Sequence, residues 1–490
     1  MERALYLGLL GLLVWAPLPL ASNRFWSLSL LQAWISVLFV LWLALRVRQS
    51  LDNSAPFPTI VSRNHIMIIL FWLIPIWSLL QLISLPPSWR EALGALPYPD
   101  TSDWHPLSID AGATWFQTME SVAYAMFFTL ALSLINSPAR LQRTCELLVI
   151  CGVLQASYGV MVTLGGSNYD LLGILYRSQQ SGSASGTFAN RNHLAGYLEM
   201  CLAIGVGLLL THMMQNNDPY SGWRAILRRF LATLMSGKAR LRIFLALMVV
   251  ALVLTHSRMG NSAFFASLGV SAVIGLFLYA RHKRSTAMVI LFGSLIAIDS
   301  LILGAWFGLD KLAARLEQTS MEREERTYVY PAAFEMLKEV PVTGVGAGAF
   351  GSSFDAFKNG KIFFDYDYTH NDYLQIAIEY GIIGSLMFGL IVIHAFRLAI
   401  AAQRSRHTAI LKGAGFAAMM GIISLMIHSW VDFNLQIPAN ALMFTLLCAF
   451  ACIATGMELQ SHQGKAEPGQ HRSRHRRHSS THTGHENPET

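Results

Sequence analysis

The sequence predicts an all-α protein that crosses a membrane many times. Three observations carry that reading. Apolar runs near membrane-spanning length recur from Leu5 to Gly456. The 490 residues are 53% hydrophobic and 13% charged, with mean hydropathy +0.42, whereas a soluble chain carries about twice that charged fraction. Basic residues also cluster between alternate spans, at Arg46 and Arg48, Arg140 and Arg143, Arg224 to Arg242, Arg281 to Arg284, and Arg404 to Lys412. Short loops rich in Lys and Arg stay cytoplasmic, so this alternation fixes the topology. A net charge of +7 spread this way argues against nucleic-acid binding.

The spans fall at 4–20, 25–45, 66–83, 115–135, 145–164, 194–212, 243–257, 263–280, 286–306, 382–400, 413–430 and 438–456. That makes about twelve helices with both termini cytoplasmic. The first follows only Met1-Glu2-Arg3. It reads as a retained helix, because Trp15-Ala16-Pro17-Leu18-Pro19 is a poor cleavage region. Cys145, Cys151, Cys201, Cys448 and Cys452 all lie within spans, which predicts free thiols and no zinc site.

Two outer segments are long. Residues 84–114 are Pro-rich and aromatic, with Trp104 among them. Residues 307–381 form a large helical extracytoplasmic loop between spans nine and ten. Within it Asp310 to Met321 reads as a short helix, and Arg323 to Arg326 opens a second with Tyr330, Phe334 and Leu337 as its apolar face. Gly344 to Gly348 reads as a flexible turn, and Phe363, Phe364, Tyr366 and Tyr368 crowd the end. A loop of this length inside a compact protein is usually functional. Residues 1–456 thus form one transmembrane domain. Residues 457–490 read as a disordered, basic, His-rich cytoplasmic tail, suited to anionic lipid or adventitious metal and not to catalysis.

On this topology the unusual polar residues gather on the outer side. Asn190-Arg191-Asn192-His193 precedes span six, His256-Ser257-Arg258 lies between spans seven and eight, and Arg323 and Arg326 lie in the large loop. His370-Asn371-Asp372-Tyr373 lies at the mouth of span ten, and His428 with Asp432 ends span eleven. Arg191, Arg258 and Arg326 sit where the positive-inside rule does not put them. Such an arginine needs a partner or a job. Guanidinium grips phosphate bidentately, so two or three converging could hold a pyrophosphate. Snorkelling to headgroups, or for Arg326 pairing with Glu324 or Glu325, would also account for them. His370 is of the residue type that moves protons near neutral pH, or it belongs to a solvated helix cap. His193 and His256 read as structural residues, and His428 with Asp432 suits an inter-helix hydrogen-bonded pair. No Walker loop, GxSxG, HExxH or paired-carboxylate Mg²⁺ motif occurs, which predicts chemistry without metal or cofactor. Asp365 and Asp367 near His370 keep a metal open.

These motifs resemble those of the bacterial O-antigen ligase and O-antigen polymerase superfamily, integral-membrane glycosyltransferases. The likeness rests on Gly186-Thr187-Phe188-Ala189-Asn190-Arg191-Asn192-His193-Leu194-Ala195-Gly196, on Ser257-Arg258 with Gly260, on Arg326 through Gly344-Val345-Gly346, and on His370-Asn371-Asp372 followed by Gly381-Ile382-Ile383-Gly384. Met259 departs from the glycine that often follows the Ser-Arg pair. The resemblance implies a GT-C-like helical fold at the bacterial inner membrane, with the site facing the periplasm. It implies metal-independent, inverting transfer of a glycan from undecaprenyl pyrophosphate to an acceptor hydroxyl, on lipid A core or a growing polysaccharide. His370 would be the base, and Arg258, Arg191 and Arg326 would bind pyrophosphate. Asn190, Asn192, His193, Asn371, Asp372 and Tyr373 would support them. Ligase and polymerase are not separated by these motifs. A lipid-flipping or scaffold role without chemistry is one rival class, and a transporter is the other, with Glu199 and Asp299 as the intramembrane acids it would need. It would carry its polar groups near mid-membrane and not at one face.

Overall fold

The fold is that of a computed structural model. It describes residues 1–52, 58–98, 103–165, 182–215, 237–279, 321–358 and 362–457, with 293 and 360, leaving aside the side chains of 237–239, 279 and 321–327. The predicted span at 286–306, the predicted helix at 310–321 and the tail from 458 lie outside the described residues. The residues from Met1 to Met457 cluster as one compact unit.

The helices are α1 (Glu2–Trp15), α2 (Phe25–Leu51), α3 (Thr59–Arg63), α4 (His65–Gln81), α5 (Pro87–Ala92), α6 (Ala111–Leu134), α7 (Pro138–Leu164), α8 (Arg191–Gln215) and α9 (Gly237–Leu254). They continue with α10 (Arg258–Tyr279), α11 (Met321–Glu339), α12 (Phe350–Phe354), α13 (Asp372–Ser405), α14 (Ala409–His428) and α15 (Pro438–Gly456). The only described strands, Ser84–Leu85 and His105–Pro106, pair antiparallel in the first outer segment. Among the described residues, α2, α7, α8, α10, α13, α14 and α15 are long and apolar enough to cross a membrane. The protein is an all-α polytopic membrane protein.

The first span is shorter than its apolar run. α1 ends at Trp15, because Pro17 and Pro19 supply no amide hydrogens, and the chain turns through Leu20 to Ser22 with positive φ. Helix direction then alternates. Glu2 at the start of α1 meets Arg140 at the start of α7 at 2.7 Å. Thr187, ahead of α8, donates to the carbonyl of Pro17 beyond the end of α1. The basic clusters around Arg48, Arg140, Arg242 and Arg404 therefore share one end of the bundle. The mouths of α8, α10 and α13 share the other.

α8 is apolar on every face and is buried from His193 to Thr211, so it forms the axis of the bundle. It packs tightly on α14, where a Cβ on Gly207 would meet the Gly413 carbonyl at 2.3 Å. Small residues let membrane helices approach this closely. All five cysteines are buried and unpaired.

In the large loop, the buried face of α11 is Val329, Ala332, Ala333, Met336 and Val340. Of the expected face, Tyr330 and Leu337 are half-buried against this row, and Phe334 is exposed. Gly344 to Gly348 is not a flexible turn but a strap pinned on both sides. Val345 N donates to Ile378 O at 2.8 Å, Ile109 N to Val345 O at 2.8 Å, and Gln81 Nε2 to Thr343 O at 2.8 Å. The strap seats against a break in α13 at Gly381, whose φ of +64° and ψ of −169° interrupt the helix. The membrane-crossing part of α13 thus begins at Ile382, as the apolar run predicts. The segment 372–380 is a separate helical piece that carries the His370 cluster.

Candidate functional site at the mouths of three helices

Three helices start at this end with comparable local chemistry. α8 starts at Arg191, where Asn190 Oδ1 accepts from Asn192 N at 2.9 Å. α10 starts at Arg258, where Ser257 Oγ accepts from Gly260 N at 3.2 Å. α13 starts at Asp372, where Asn371 Oδ1 accepts from Leu374 N at 3.1 Å. Short polar side chains capping free amides are what sets these starts. His256 and His370 each stand one residue before such a cap, in left-handed backbone with φ of +54° and +56°. That conformation is uncommon for a residue with a side chain, and both histidines leave the helix axis there. Helix N-termini carry partial positive charge, so three of them favour an anion at this end.

The turn 429–436, between α14 and α15, holds the mouths together. Asp372 is buried, and its Oδ2 accepts from Ser429 Oγ at 2.7 Å and from Leu435 N at 3.2 Å. Its amide reaches the carbonyls of Ser429 and Asp432. Asn371 Nδ2 donates to Trp430 O at 2.9 Å. Tyr373 donates to Met426 O and packs on Trp430, so its hydroxyl faces α14. Asn371, Asp372 and Tyr373 therefore anchor the mouth of α13.

Phe433 is the common wall of the site. The ring of His193 meets it edge-on at 4.6 Å and that of His370 at 4.8 Å. Tyr368 stacks on it at 4.5 Å, and Tyr366 stands edge-on to His370 at 6.1 Å. Tyr330 of α11 donates to the His370 carbonyl at 3.1 Å. Of the four loop aromatics, Tyr366 and Tyr368 thus face the site, while Phe363 and Phe364 are exposed.

Arg191 is tied to the turn ahead of Arg258 through a bridge that the sequence does not announce. Arg191 Nη1 donates to Ser183 Oγ at 3.0 Å, and Ser183 Oγ lies 3.2 Å from His256 Nδ1, two residues before Arg258. Arg191 is half-buried and Arg258 exposed at the start of α10. Arg191 and His193 share the first turn of α8, and His193 shares Phe433 with His370. Asn192 is half-exposed on that turn. The side chain of Arg326 lies outside the described residues.

Glu199, His428 and Asp432 form the buried floor. His428 lies closer to Glu199, at 2.8 Å, than to Asp432, at 3.9 Å. The inter-helix pair is therefore Glu199 with His428, and Asp432 links onward to His193 at 3.5 Å. The sequence hides this because Glu199 and His428 are 229 positions apart. Burial opposes the ionisation of Asp432, but the neighbouring His193, the charge of His428 and the Phe433 amide outweigh it and hold the carboxyl below the usual carboxylate range. Gly260 abuts this floor, since a Cβ there would meet Ala195 Cβ at 2.6 Å and Glu199 Oε1 at 3.1 Å. Close approach falls on Gly260 and not on position 259, which explains why Met259 is tolerated.

Asp365 is exposed, and its Oδ1 pairs with Lys358 at 2.7 Å on the surface. A pocket lined mainly by Phe71, Ile74, Tyr380, Phe388, Ile391 and Phe444 lies between α4, α6, α13 and α15 and reaches Leu435 and Gln436 on the turn.

With this geometry in place, residues 243–389 match the protein family described as O-Antigen ligase. The match covers under a third of the chain, and over that stretch the chain is similar to an O-antigen ligase domain. The matched stretch runs from α9 to just past the break in α13, and so contains Ser257-Arg258, Arg326 and His370-Asn371-Asp372. Arg191, His193, Glu199, His428 and Asp432 lie outside the match, and the fold supplies them. No curated protein matches the chain.

Proposed function

We propose that this O-antigen ligase-type protein transfers a glycan from a polyprenyl diphosphate, undecaprenyl in bacteria, to an acceptor hydroxyl at the periplasmic face of the inner membrane. The observation that carries the reading is the convergence on Phe433 and its turn of an arginine-bearing helix mouth and a histidine-bearing one. The diphosphate is already a good leaving group. Arg191 and Arg258, at two amide-rich helix starts, would neutralise the charge that builds on it, a contribution of about 3–4 kcal/mol for a well-placed group. Arg326 would add a third cation from α11. His370 would take the acceptor proton, an effect of about 10²–10⁴-fold. Its left-handed backbone sets the imidazole against Phe433 and beside Tyr366 and Tyr368, whose rings would stack on sugar. The pocket lined by Phe71, Ile391 and Phe444 suits an apolar lipid chain. The basic clusters at the far end support a cytoplasmic position for that end.

We assign inverting transfer without metal, since one base and one activated leaving group suffice. The acceptor is lipid A core in the ligase reading and a growing repeat-unit chain in the polymerase reading. The test is transfer by purified protein in lipid, with a polyprenyl-diphosphate glycan and each acceptor in turn, in EDTA. Product on lipid A core supports the ligase reading, and lengthened repeat-unit chains support a polymerase. His370→Ala should abolish either product in a folded protein. Undiminished turnover in that variant, or rescue of an EDTA-dead protein by Mg²⁺, would refute the mechanism.

A further inference from the structure

This inference rests on the glycosyl-transfer reading. A line of buried titratable groups runs from inside the bundle to the site. Glu199 lies two turns into α8, with His428 Nδ1 at 2.8 Å and Ser424 Oγ at 2.7 Å. His428 Nε2 faces Asp432 Oδ2 at 3.9 Å, and Asp432 Oδ1 faces His193 Nε2 at 3.5 Å. Acid and base alternate along the whole line. The exposure of Glu199, His428, Asp432 and His193 is 0, 1, 1 and 5%. The other titratable or charged groups beside it are Asp372 of α13, with one buried oxygen lacking a hydrogen-bond partner, and Arg191 on the same turn as His193. Asn440 of α15 fixes the His193 carbonyl at 3.0 Å. Apolar side chains would pack this core at lower cost, because buried charges must be paired to be tolerated. The line ends on a histidine that touches the same phenyl ring as His370.

We propose that His193 is a second acid–base residue of the site, donating a proton to the departing diphosphate, and that Asp432, backed by His428 and Glu199, is its positioning residue. Asp432 faces His193 Nε2 at 3.5 Å, and that nitrogen is buried with no hydrogen-bond partner among the described residues, so the contact is an electrostatic one. A carboxylate so placed favours hydrogen on Nε2 and leaves Nδ1 as the exchanging nitrogen. His193 stands two residues after Arg191 on the same turn, hence on the leaving-group side, and His370 serves the acceptor side. In the step, the acceptor oxygen bonds to the anomeric carbon and its proton passes to His370. The carbon–oxygen bond to the diphosphate breaks with its electron pair on the diphosphate oxygen. That oxygen takes the Nδ1 proton of His193. Exchange with water at the helix mouths then returns both histidines to their starting states.

The experiment is the pH profile of turnover by the full chain reconstituted in lipid, read as kcat and KM separately. The wild type should give a bell. His193→Gln should lose about 10²–10⁴-fold in kcat with little change in KM, and the alkaline limb should vanish. Asp432→Asn should lower kcat and move that limb, Asp432→Glu should restore part of both, and Glu199→Gln should act in the same direction more weakly. A loss equal at every pH, or one confined to KM, overturns the proposal. ¹⁵N-histidine NMR of the wild type and Asp432→Asn gives a second readout. His193 should carry its hydrogen on Nε2 in the wild type and change tautomer in the variant, and an unchanged signal overturns the positioning role. A wild type with no transfer refutes the glycosyl-transfer reading instead, and the NMR result then decides the Asp432 contact by itself.

Discussion

Replacing Gly381 by alanine should disable the site from a distance. Gly381 holds a backbone pair, φ +64° and ψ −169°, that is essentially reserved for glycine. A Cβ there would stand 2.1 Å from the Val342 carbonyl oxygen and 2.7 Å from Gly344 N. Both atoms are backbone in the strap, which hydrogen bonds on both sides prevent from moving away. Backbone strain of about 1–3 kcal/mol combines with an overpacking cost of about 1–3 kcal/mol. The relief open to the chain is to straighten α13 through position 381. That would swing the segment 372–380 and carry His370 off Phe433. At about 1.4 kcal/mol per tenfold, the kinked form should fall by about 30-fold to 10⁴-fold relative to the straight one. The assay is glycan transfer at matched protein levels, with thermal unfolding in detergent alongside. The expected result is turnover down by at least about tenfold together with a lowered Tm, since the strap and the kink are one packing unit. Full turnover and an unchanged Tm would show that the kink does not position His370.

The remaining predictions concern parts that act separately. Arg258→Lys keeps the charge but loses the bidentate fork, so kcat/KM for the lipid-diphosphate donor should fall about tenfold or more, as measured by steady-state transfer. Tyr366→Ala with Tyr368→Ala should impair sugar-dependent transfer strongly, whereas Phe363→Ala with Phe364→Ala, on exposed side chains, should leave it within about twofold. Deleting residues 458–490 should spare transfer, because every residue assigned to the site lies in the unit from Met1 to Met457. Asp432 has a lowered native pKa, so its contribution to stability is complete above the unfolded value of about 4 and is lost as pH falls below it. Asp432→Asn should therefore lower Tm at neutral pH and flatten its decline in acid.

How legible the site was depends on the distance over which each signal acts. Polar motifs are local, so the runs at Asn190, Ser257 and Asn371 stand out in the sequence. The apolar runs, however, place the spans at 194, 263 and 382, whereas the helices start at Arg191, Arg258 and Asp372, because capping side chains extend each helix beyond its apolar part. The basic clusters gave the alternation of helix ends, since loop charge is a one-dimensional property. The apolar face of α11 is legible in part, since Tyr330 and Leu337 flank the buried row Val329, Ala333 and Met336 while Phe334 points outward. The Gly344 to Gly348 strap looked flexible because its partners, Gln81, Ile109 and Ile378, are remote in sequence. Phe433 carried no signal at all, being one phenylalanine in an apolar chain.

The floor of the site shows why the polar residues of such a protein are better judged by their neighbours than by their depth. Glu199 taken alone is an intramembrane acid and points to a carrier, since an isolated carboxyl among apolar helices needs a transport reason to exist. Placed in the fold, both of its oxygens are engaged, one by His428 and one by Ser424, and Gly260 closes over it. A carrier must expose its acid alternately to the two sides, and that requires α8 to part from α14. Here α8 is buried along its length and meets α14 at the Gly207–Gly413 contact, with no room for a Cβ between them. The acid is therefore fixed to one end of the bundle through His428 and Asp432. There it lies beneath two histidines and two arginine-bearing helix mouths, an arrangement suited to chemistry at one face.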